Sequence, residues 1–416
     1  MNRLPVIRKW AHHDAITASS NFGMFSRSRI RLQQEAQKCL KIAVIGPPNV
    51  GKSLLTNKLV KAGVAAVSSQ MDTTQKNQTA VITEGLSQLV FVDSPGTVGI
   101  RHARQIVRRP DSRILSDPEH AIEQADHILV VHDATISTDY ILHRVLHMLH
   151  RYRQIPSSLI LNKIDQVTQR SDLLALTRVL CNGVVDGKPI TVKRQSGGQL
   201  AKLCSKILKT SPTMPLHSIE ERAQDEQWQE KYKVLLQKPT HKCSWNETKQ
   251  LFANIKGWSN FQAVFFVSAL TGEGINTVRD FLLRLALRRE HIFKQEILTT
   301  KKPVMICQDA IRAEFLNRIP SYIAYDLKVN VTEWVMEGEV LQIVAEIECK
   351  KDRIARIVVG EHGLTVAAVA KEVNESLQNL LAQQLFLRIL VKVNGKLFDL
   401  LRYNVERNRG KESLRL

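Results

Sequence analysis

The stretch Gly46-Pro47-Pro48-Asn49-Val50-Gly51-Lys52-Ser53 decides the fold of this chain. It follows the apolar run 40–45 and leads into the amphipathic segment 54–59, so it lies between a strand and a helix. Glycines at these positions let consecutive backbone N–H groups turn inward around a phosphate, and a helix N-terminus adds the positive end of its dipole. The pattern predicts a phosphate-binding loop in which Lys52 contacts the β- and γ-phosphates of a nucleotide and the Ser53 hydroxyl binds Mg²⁺. The alternative is a chance glycine-rich turn before a helix.

The composition bounds the class of protein. A chain of 416 residues, 44% of them hydrophobic, is long enough for two or three domains with apolar cores. Its 59 Lys and Arg against 40 Asp and Glu give a formal net charge of +19. This excess indicates a polyanionic partner, nucleic acid or a membrane surface, unless the chain is simply a basic protein of a mitochondrial or ribosome-rich compartment. The scattered cysteines argue against a zinc ribbon or a disulfide framework, and no apolar run approaches the ~18 residues of a membrane span.

Residues 1–38 are basic and serine-rich and contain no apolar secretory core. This composition predicts a mitochondrial transit peptide or, alternatively, a disordered basic arm that touches RNA.

Apolar runs alternate with helical patterns across residues 39–295. The runs that follow the phosphate loop are 89–92, 127–132, 158–161 and 263–267, with a further edge strand expected over 77–83. This alternation predicts an α/β domain with a mostly parallel sheet, which binds ligands at the carboxyl ends of its strands.

Asp93-Ser94-Pro95-Gly96 follows one of these strands. Asp93 is placed to hold Mg²⁺ through water, and the backbone N–H of Gly96 can donate to a γ-phosphate. The next residue, Thr97, is not the glutamine that orients water in Ras-type proteins, so we expect slow intrinsic hydrolysis of the nucleotide.

Two later strand ends carry the residues expected to select the base. In Asn162-Lys163-Ile164-Asp165, the carboxylate can accept two hydrogen bonds from guanine, a pair that adenine does not offer. Asn162 would brace the loop, the Lys163 stem would lie along the base plane, and Ser268-Ala269-Leu270 would present a backbone N–H to the guanine O6.

In order and wording, these elements resemble the G1, G3, G4 and G5 motifs of the translation-factor-related GTPases. Met71-Asp72-Thr73-Thr74-Gln75 resembles the G2 switch of the TrmE–Era group, which implies that Thr74 senses Mg²⁺ and the γ-phosphate. The resemblance also implies that Asn49 helps to hold a K⁺ ion, unless Asn49 only shapes the loop. We therefore expect Lys52, Asn49, Thr74 and Gly96 to carry the hydrolysis.

Three features of this domain invite other interpretations. His143, His147 and His150 share a helix face at metal-like spacing, but without a carboxylate partner we predict a solvated face. The arginines of 101–113 would either meet RNA phosphates or form a mobile basic loop. The insertion, residues 166–260, is read as a flexible arm that touches RNA. A helix over 277–291 is expected to close the domain.

Residues 299–400 have the pattern of a second domain. Helices are predicted over 306–318, 353–358 and 364–381, with strands over 327–334, 340–349 and 385–393. The sequence Gly360-Glu361-His362-Gly363 joins two of the helices. A G-x-x-G loop inside an α-β-β-α-α-β unit resembles an α+β KH domain of type II, which clamps about four nucleotides. Glu361 departs from the usual basic pair, so the cations expected to compensate are Lys350, Lys351, Arg353 and Arg356.

A GTPase followed by a KH domain resembles the Era family over nearly the whole chain, up to a basic tail at 401–416. The resemblance implies a mitochondrial-matrix GTPase that binds GTP, GDP and small-subunit ribosomal RNA near its 3′ end and assists assembly of the small ribosomal subunit. Two alternatives remain: a constitutive RNA-binding protein with a vestigial GTPase, and a GTPase that acts at a membrane surface.

Overall fold

The structure, a computed structural model, describes residues 36–64, 77–97, 113–135, 139–190, 226–253, 255–381 and 383–399. Thr74, the loop 101–112, the insertion residues 191–225 and the tail 401–416 lie outside the described residues. Within the described residues, no helix is long and apolar enough to cross a membrane.

The first domain is built on a sheet of seven strands in the order β2-β3-β1-β4-β5-β8, with β9 paired to β1. In chain order the strands are β1 (Lys38–Ile45), β2 (Gln78–Glu84), β3 (Ser87–Asp93), β4 (His127–Asp133), β5 (Ser157–Asn162), the separate hairpin β6 (Val184–Val185) and β7 (Lys188–Pro189), β8 (Phe261–Phe266) and β9 (Leu287–Arg288). The central pairs are parallel, whereas β2 and β9 are antiparallel to their neighbours. The predicted mostly parallel sheet is therefore confirmed.

Helices cover both faces of this sheet. They are α1 (Lys52–Val60), α2 (Arg113–Glu123), α3 (His143–Arg151), α4 (Ser171–Leu180), α5 (Glu226–Gln237), α6 (Trp245–Leu251) and α7 (Ile275–Leu285). One core contains residues of α3 to α6, and the other contains residues of α1 and α7. Because every residue of β4 and β5 is buried, these strands read as continuous apolar runs rather than alternating ones.

The described part of the insertion is folded, so the prediction of a flexible arm is wrong there. Leu235, Leu251 and Phe252 are buried in the core of the domain. α6 begins with a capping box, in which the Glu247 amide donates to Ser244 Oγ at 3.1 Å and the Ser244 amide donates to Glu247 Oε2 at 2.6 Å. Such caps stabilise a helix by about 0.5–2 kcal/mol.

The prediction of a solvated histidine face is also wrong, because insertion residues cover it. His147 is fully buried, and its ring nitrogens lie 2.8 Å from Thr240 Oγ1 and 3.0 Å from Leu235 O. His150 Nδ1 lies 3.0 Å from Tyr232 Oη. Among the described residues, no group of His, Cys, Asp and Glu forms a metal site.

Glu119 ties the insertion to α2, the helix that follows the 98–112 segment. Its buried carboxylate accepts from the Thr240 amide at 2.8 Å and lies 3.1 Å from Arg151 Nε and 3.4 Å from His241 Nδ1. The folded insertion is thus anchored to α2, the next described helix after the Asp93–Thr97 loop.

The helix that closes the first domain ends earlier than predicted, at Leu285. The chain then forms β9 and continues as a linker along the edge of the sheet. There, Val81 N donates to Leu298 O at 2.7 Å, and Thr299 Oγ1 donates to Thr79 O at 2.7 Å. The predicted helical extension to residue 291 is wrong because Leu287 and Arg288 pair with Cys39 and Lys38 of β1 instead.

The second domain has its own core and a mixed four-stranded sheet in the order β10-β11-β12-β13. Its elements are α8 (Pro303–Arg318), α9 (Ser321–Ala324), β10 (Lys328–Glu337), β11 (Val340–Cys349), α10 (Asp352–Val359), α11 (Leu364–Leu381), β12 (Leu385–Val393) and β13 (Lys396–Leu397). β11 pairs antiparallel with β10 and parallel with β12. Alternation along β11 buries Ile343, Ala345 and Ile347 against the helices and leaves the other face of the sheet more exposed.

Candidate nucleotide-binding site

The predicted nucleotide motifs meet at one edge of the first sheet, where parallel strands β1, β3, β5 and β8 end. The loops that follow these four strands begin at Gly46, Ser94, Lys163 and Val267. Since the carboxyl ends of parallel strands share one edge, this is the position at which doubly wound sheets bind ligands.

The phosphate loop turns sharply into α1. Gly51 has a φ of 88°, and a Cβ at this position would lie 2.4 Å from Asn162 Nδ2, so only glycine fits. Gly51 is also the N-cap of α1, so the positive end of the helix dipole, which favours an anion, lies at the phosphate loop. Asn49 is exposed and has a φ of 59°, whereas Val50 is buried.

Lys52 lies across the loop that precedes it. Its Nζ donates to Pro47 O at 2.8 Å and to Gly46 O at 3.3 Å, and its side chain is buried. These contacts hold the ammonium group over the hollow of the loop, where a phosphate would meet it.

Ser53 and Asp93 form the predicted magnesium pair. Ser53 Oγ donates to Asp93 Oδ2 at 2.6 Å, while Asp93 Oδ1 is buried without a hydrogen-bond partner among the described residues. Burial raises the pKa of Asp93 to about 6, against the lowering effects of the Ser53 hydrogen bond and of nearby Lys52. A hydroxyl and a carboxylate with an unused oxygen are the ligands that Mg²⁺ prefers, so this pair fits the ion.

The loop after β3 lies directly on the phosphate loop. Thr97 N donates to Gly46 O at 3.0 Å, and a Cβ at Gly96 would lie 2.8 Å from Pro48 Cα. Ser94 Oγ donates to Val44 O at 2.7 Å and so fixes the start of this loop to β1. Gly96 therefore lies beside the phosphate loop.

Asn162 joins the phosphate loop to the loop after β8. Its Nδ2 donates to Val50 O at 2.8 Å, and its Oδ1 accepts from Ala269 N at 2.9 Å. The side chain is buried, so both hydrogen bonds are shielded from water.

The remaining base-site residues lie around this brace. Ser268 Oγ donates to Asp165 Oδ1 at 2.6 Å, and Asp165 itself is exposed. Leu270 is exposed at the tip of the loop. Lys163 has a φ of 65°, and its Nζ lies 2.6 Å from Asp133 Oδ2.

Asp133 contacts the predicted base loop through Lys163, although it belongs to none of the sequence motifs. It ends β4 opposite Asn162 on β5 and is almost fully buried. The signal that could have found it is a carboxylate directly after the apolar run 127–132, at the same sheet edge as the motifs.

The predicted RNA-binding residues lie in the turn between α10 and α11 and on or just before α10, the helix that leads into this turn. Gly360 has a φ of 77°, and a Cβ there would lie 2.1 Å from Thr365 Oγ1, so the turn requires glycine. His362 has a φ of 50°, and Glu361 is exposed beside it. The predicted cations are all exposed at the N-terminal side of α10 and along it: Lys350, Lys351, Arg353 and Arg356. Lys350 Nζ lies 3.6 Å from Asp326 Oδ2.

The first domain is a P-loop GTPase domain. Its defining features are the parallel sheet, the phosphate loop, the Ser53–Asp93 pair and the 162–165 loop that Asn162 braces. A family model described as "50S ribosome-binding GTPase" matches residues 41–163. The chain is 46% identical over 369 residues to "GTPase Era, mitochondrial" of Caenorhabditis elegans, which covers 88% of this chain and 92% of that protein. It is 28% identical to the protein of the same name in Salmo salar, over 87% of this chain and 78% of that one. The chain belongs to the Era family of GTPases and is an enzyme that hydrolyses GTP.

Solved Era structures share this fold over most of the chain. One is an Era variant of Aquifex aeolicus bound to GDP.AlF4⁻, with a TM-score of 0.57 at 18% identity over 86% of this chain and 94% of that one. The other is Era in complex with MgGDPNP and nucleotides 1506–1542 of 16S ribosomal RNA, with a TM-score of 0.55 at the same identity and coverage.

Proposed function

We propose that this GTPase binds small-subunit ribosomal RNA near its 3′ end and assists assembly of the mitochondrial small ribosomal subunit. The single observation that carries the proposal is the 46% identity to a mitochondrial Era protein across both domains. The solved Era complex with a 16S ribosomal RNA fragment supports the choice of RNA. The net charge of +19 is consistent with an RNA partner, and the names of the relatives support a mitochondrial location, for which we propose the matrix.

In this proposal the phosphate loop binds the nucleotide through the backbone of Gly46 to Gly51 and through Lys52. Lys52 neutralises charge on the β- and γ-phosphates, and the Gly96 amide donates to the γ-phosphate. Asp165 reads guanine, and the Ala269 and Leu270 backbone faces its O6. The base site is rigid because Asn162 is hydrogen-bonded on both sides.

We assign Ser53, Asp93 and the switch residue Thr74 to Mg²⁺. The ion, when bound, would neutralise charge on the phosphates. Binding requires an ionised Asp93, and the raised pKa of this carboxyl makes ion affinity fall as the pH drops toward 6. Thr74 lies outside the described residues, so its part rests on the resemblance alone.

We also propose that K⁺ stimulates hydrolysis through Asn49, whose exposed, left-handed position leaves its side chain at the rim of the loop. The test is GTP turnover in K⁺ against Na⁺ for the wild type and for Asn49→Ala. Stimulation that disappears in the variant supports the assignment, and equal turnover in both salts removes it.

For the second domain we propose a KH fold of type II with the 360–363 turn as its RNA clamp. The α-β-β-α-α-β order and the two left-handed glycines support this assignment. Arg353 and Arg356 lie one helical turn apart on α10, the helix that leads into the 360–363 turn, and would meet the phosphates.

GTP would control the clamp through the linker between the domains. The 65–76 segment, which carries Thr74, leads directly into β2, and the linker is hydrogen-bonded to β2 at Thr79 and Val81. Ordering of the switch by GTP can therefore bias where the second domain lies. The nucleotide can change RNA affinity only by its coupling free energy, typically ~1–3 kcal/mol.

The test is binding of a fluorescent RNA from the 3′ end of mitochondrial small-subunit ribosomal RNA, with GDP or a non-hydrolysable GTP analogue. We expect the analogue to tighten binding and Arg353→Ala to weaken it, with a salt-dependence slope lower by ~0.7 per lost phosphate contact. Arg388→Ala is the matched control, since Arg388 is exposed on the sheet face away from the helices. Equal affinity in both nucleotide states would favour a constitutive RNA-binding protein, and no preference over an unrelated RNA would refute the choice of RNA.

A further inference from the structure

We propose that Asp133 is a positioning residue of the guanine site, which sets nucleotide affinity by holding the Lys163 side chain against the base plane. The proposal rests on the assignment of residues 162–165 to the base. It adds a group from β4 to a site that the motifs place only on β5 and β8.

Asp133 is placed by the sheet itself. It is the last residue of β4 and is the register partner of Asn162, the last residue of β5. The next backbone group continues this pairing, because Ala134 N donates to Asn162 O at 2.9 Å. The carboxylate therefore projects from a fixed backbone at the point where the 162–165 loop begins.

Both carboxylate oxygens have partners. Oδ2 lies 2.6 Å from Lys163 Nζ. Oδ1 accepts from Thr135 N at 2.9 Å and from Thr135 Oγ1 at 2.6 Å. The Thr135 bonds fix the rotamer of Asp133, so that the second oxygen is aimed at the lysine.

Lys163 needs such a partner. Its backbone has a φ of 65°, in the left-handed region that residues with a Cβ disfavour. Its long side chain would otherwise sample many rotamers. The Asp133 side chain is only 4% exposed and that of Lys163 25%, so the pair is shielded from the screening that weakens surface ion pairs.

The contacts of Asp133 predict an effect on affinity rather than on chemistry. Among the described residues, the polar contacts of Asp133 fall on Lys163 and Thr135. On the phosphate side, Lys52 contacts the loop and Ser53 contacts Asp93. An interaction made equally in the ground state and the transition state changes KM and leaves kcat unchanged.

The test is Asp133→Asn in the full chain, which keeps an oxygen for the Thr135 hydrogen bonds and removes the charge facing Lys163. We expect the Kd for a fluorescent GDP to rise about tenfold, mainly through faster release, with kcat at saturating GTP within about twofold of wild type. GTP and ITP should lose affinity by the same factor, because stacking of the lysine stem does not depend on the guanine amine. Unequal losses would mean that Asp165 has been displaced, and would overturn the proposal.

The matched control is Asp139→Asn. Asp139 follows shortly in the chain and pairs with Lys256, a partner that belongs to neither nucleotide motif. We expect its nucleotide affinity to equal that of the wild type. A comparable loss in this control would mean that any ion pair in this region supports the fold, and would overturn a specific role for Asp133.

A double-mutant cycle with Lys163→Ala separates the proposal from the site assignment. If Asp133 acts through the lysine, Asp133→Asn should add less than about twofold to the Kd in the Lys163→Ala background. Additive losses overturn the positioning role. If Lys163→Ala alone leaves GDP affinity unchanged, the assignment of the 162–165 loop to the base is wrong, whatever Asp133 does.

Discussion

The buried histidines predict that the first domain loses stability on mild acidification. Burial lowers the pKa of His127 and of His147 to about 4 and that of His150 to about 3. Because the folded values lie below the ordinary value near 6.5, the unfolded chain takes up protons first as the pH falls. The stability is therefore fully present above pH 6.5 and declines between pH 6.5 and the folded pKa values.

The magnitude follows from proton linkage. At pH 5.5 each of these histidines removes about 1.4 kcal/mol from the free energy of unfolding, or about 4 kcal/mol together. Asp93 acts in the opposite direction. Because its pKa is raised to about 6, the folded state takes up a proton before the unfolded chain does, and this adds about 1 kcal/mol to the free energy of unfolding between pH 7.5 and 5.5. The expected net loss between pH 7.5 and 5.5 is about 3 kcal/mol.

The assay is urea denaturation of the nucleotide-free protein, followed by tryptophan fluorescence at several pH values. His150→Phe should lower the overall stability through its lost Tyr232 partner, yet should flatten the pH dependence by about 1.4 kcal/mol. His120→Gln is the control, since His120 is exposed beside Glu123 at the surface of α2, and the pH dependence of this variant should match the wild type. Parallel pH profiles for the wild type and His150→Phe would refute the reasoning.

Two further predictions concern polar groups that join elements of the first domain. Asn162→Ala should leave the Val50 carbonyl and the Ala269 amide without their buried partner, and should lower the free energy of unfolding by about 2–4 kcal/mol and weaken GDP binding; unchanged urea midpoint and GDP affinity would contradict the brace. Glu119→Gln should loosen the 226–251 segment from α2 while the amides of the sheet stay protected. The measurement is hydrogen exchange of the Thr240 amide, which should become faster in the variant. An exchange rate equal to that of the wild type would show that the carboxylate does not anchor the insertion.

Much of the fold was predictable because strongly patterned segments decide their own structure. The observed bounds of the strands 340–349 and 385–393 and of the helix 364–381 equal the predicted ones. In the first domain, the apolar runs at 127–132 and 158–161 lie within β4 and β5. These segments are bounded by polar or turn residues and are either clearly periodic or continuously apolar, so local and tertiary preferences agree.

The errors arose where a distant segment supplies the missing partner. The spacing of His143, His147 and His150 defined a common face, but the covering residues Leu235 and Thr240 come from some 90 residues later in the chain. The segment after Leu285 has a helical composition, but pairing of Leu287 with Cys39 draws it into the sheet. Neither the residues that cover the histidine face nor the strand that pairs with Leu287 can be read from the local sequence pattern.

The sequence predicted which residues form the candidate site, but it did not predict all of the contacts between them. The order of the loops named the residues, and the parallel sheet explains why they meet. The Asn162 brace was expected from its residue type. The pairing of Lys163 with Asp133 was not, because it depends on which strands are neighbours, and β4 carries no motif of its own.

The most direct test of the proposed function is UV crosslinking of the protein in cells, followed by sequencing of the attached RNA. The account predicts a dominant peak at the 3′ end of mitochondrial small-subunit ribosomal RNA, reduced when Arg353 and Arg356 are replaced by alanine and retained in Arg388→Ala. Reads spread over large-subunit or cytosolic RNA would contradict the assembly role, whereas the assignment as a GTPase would be unaffected.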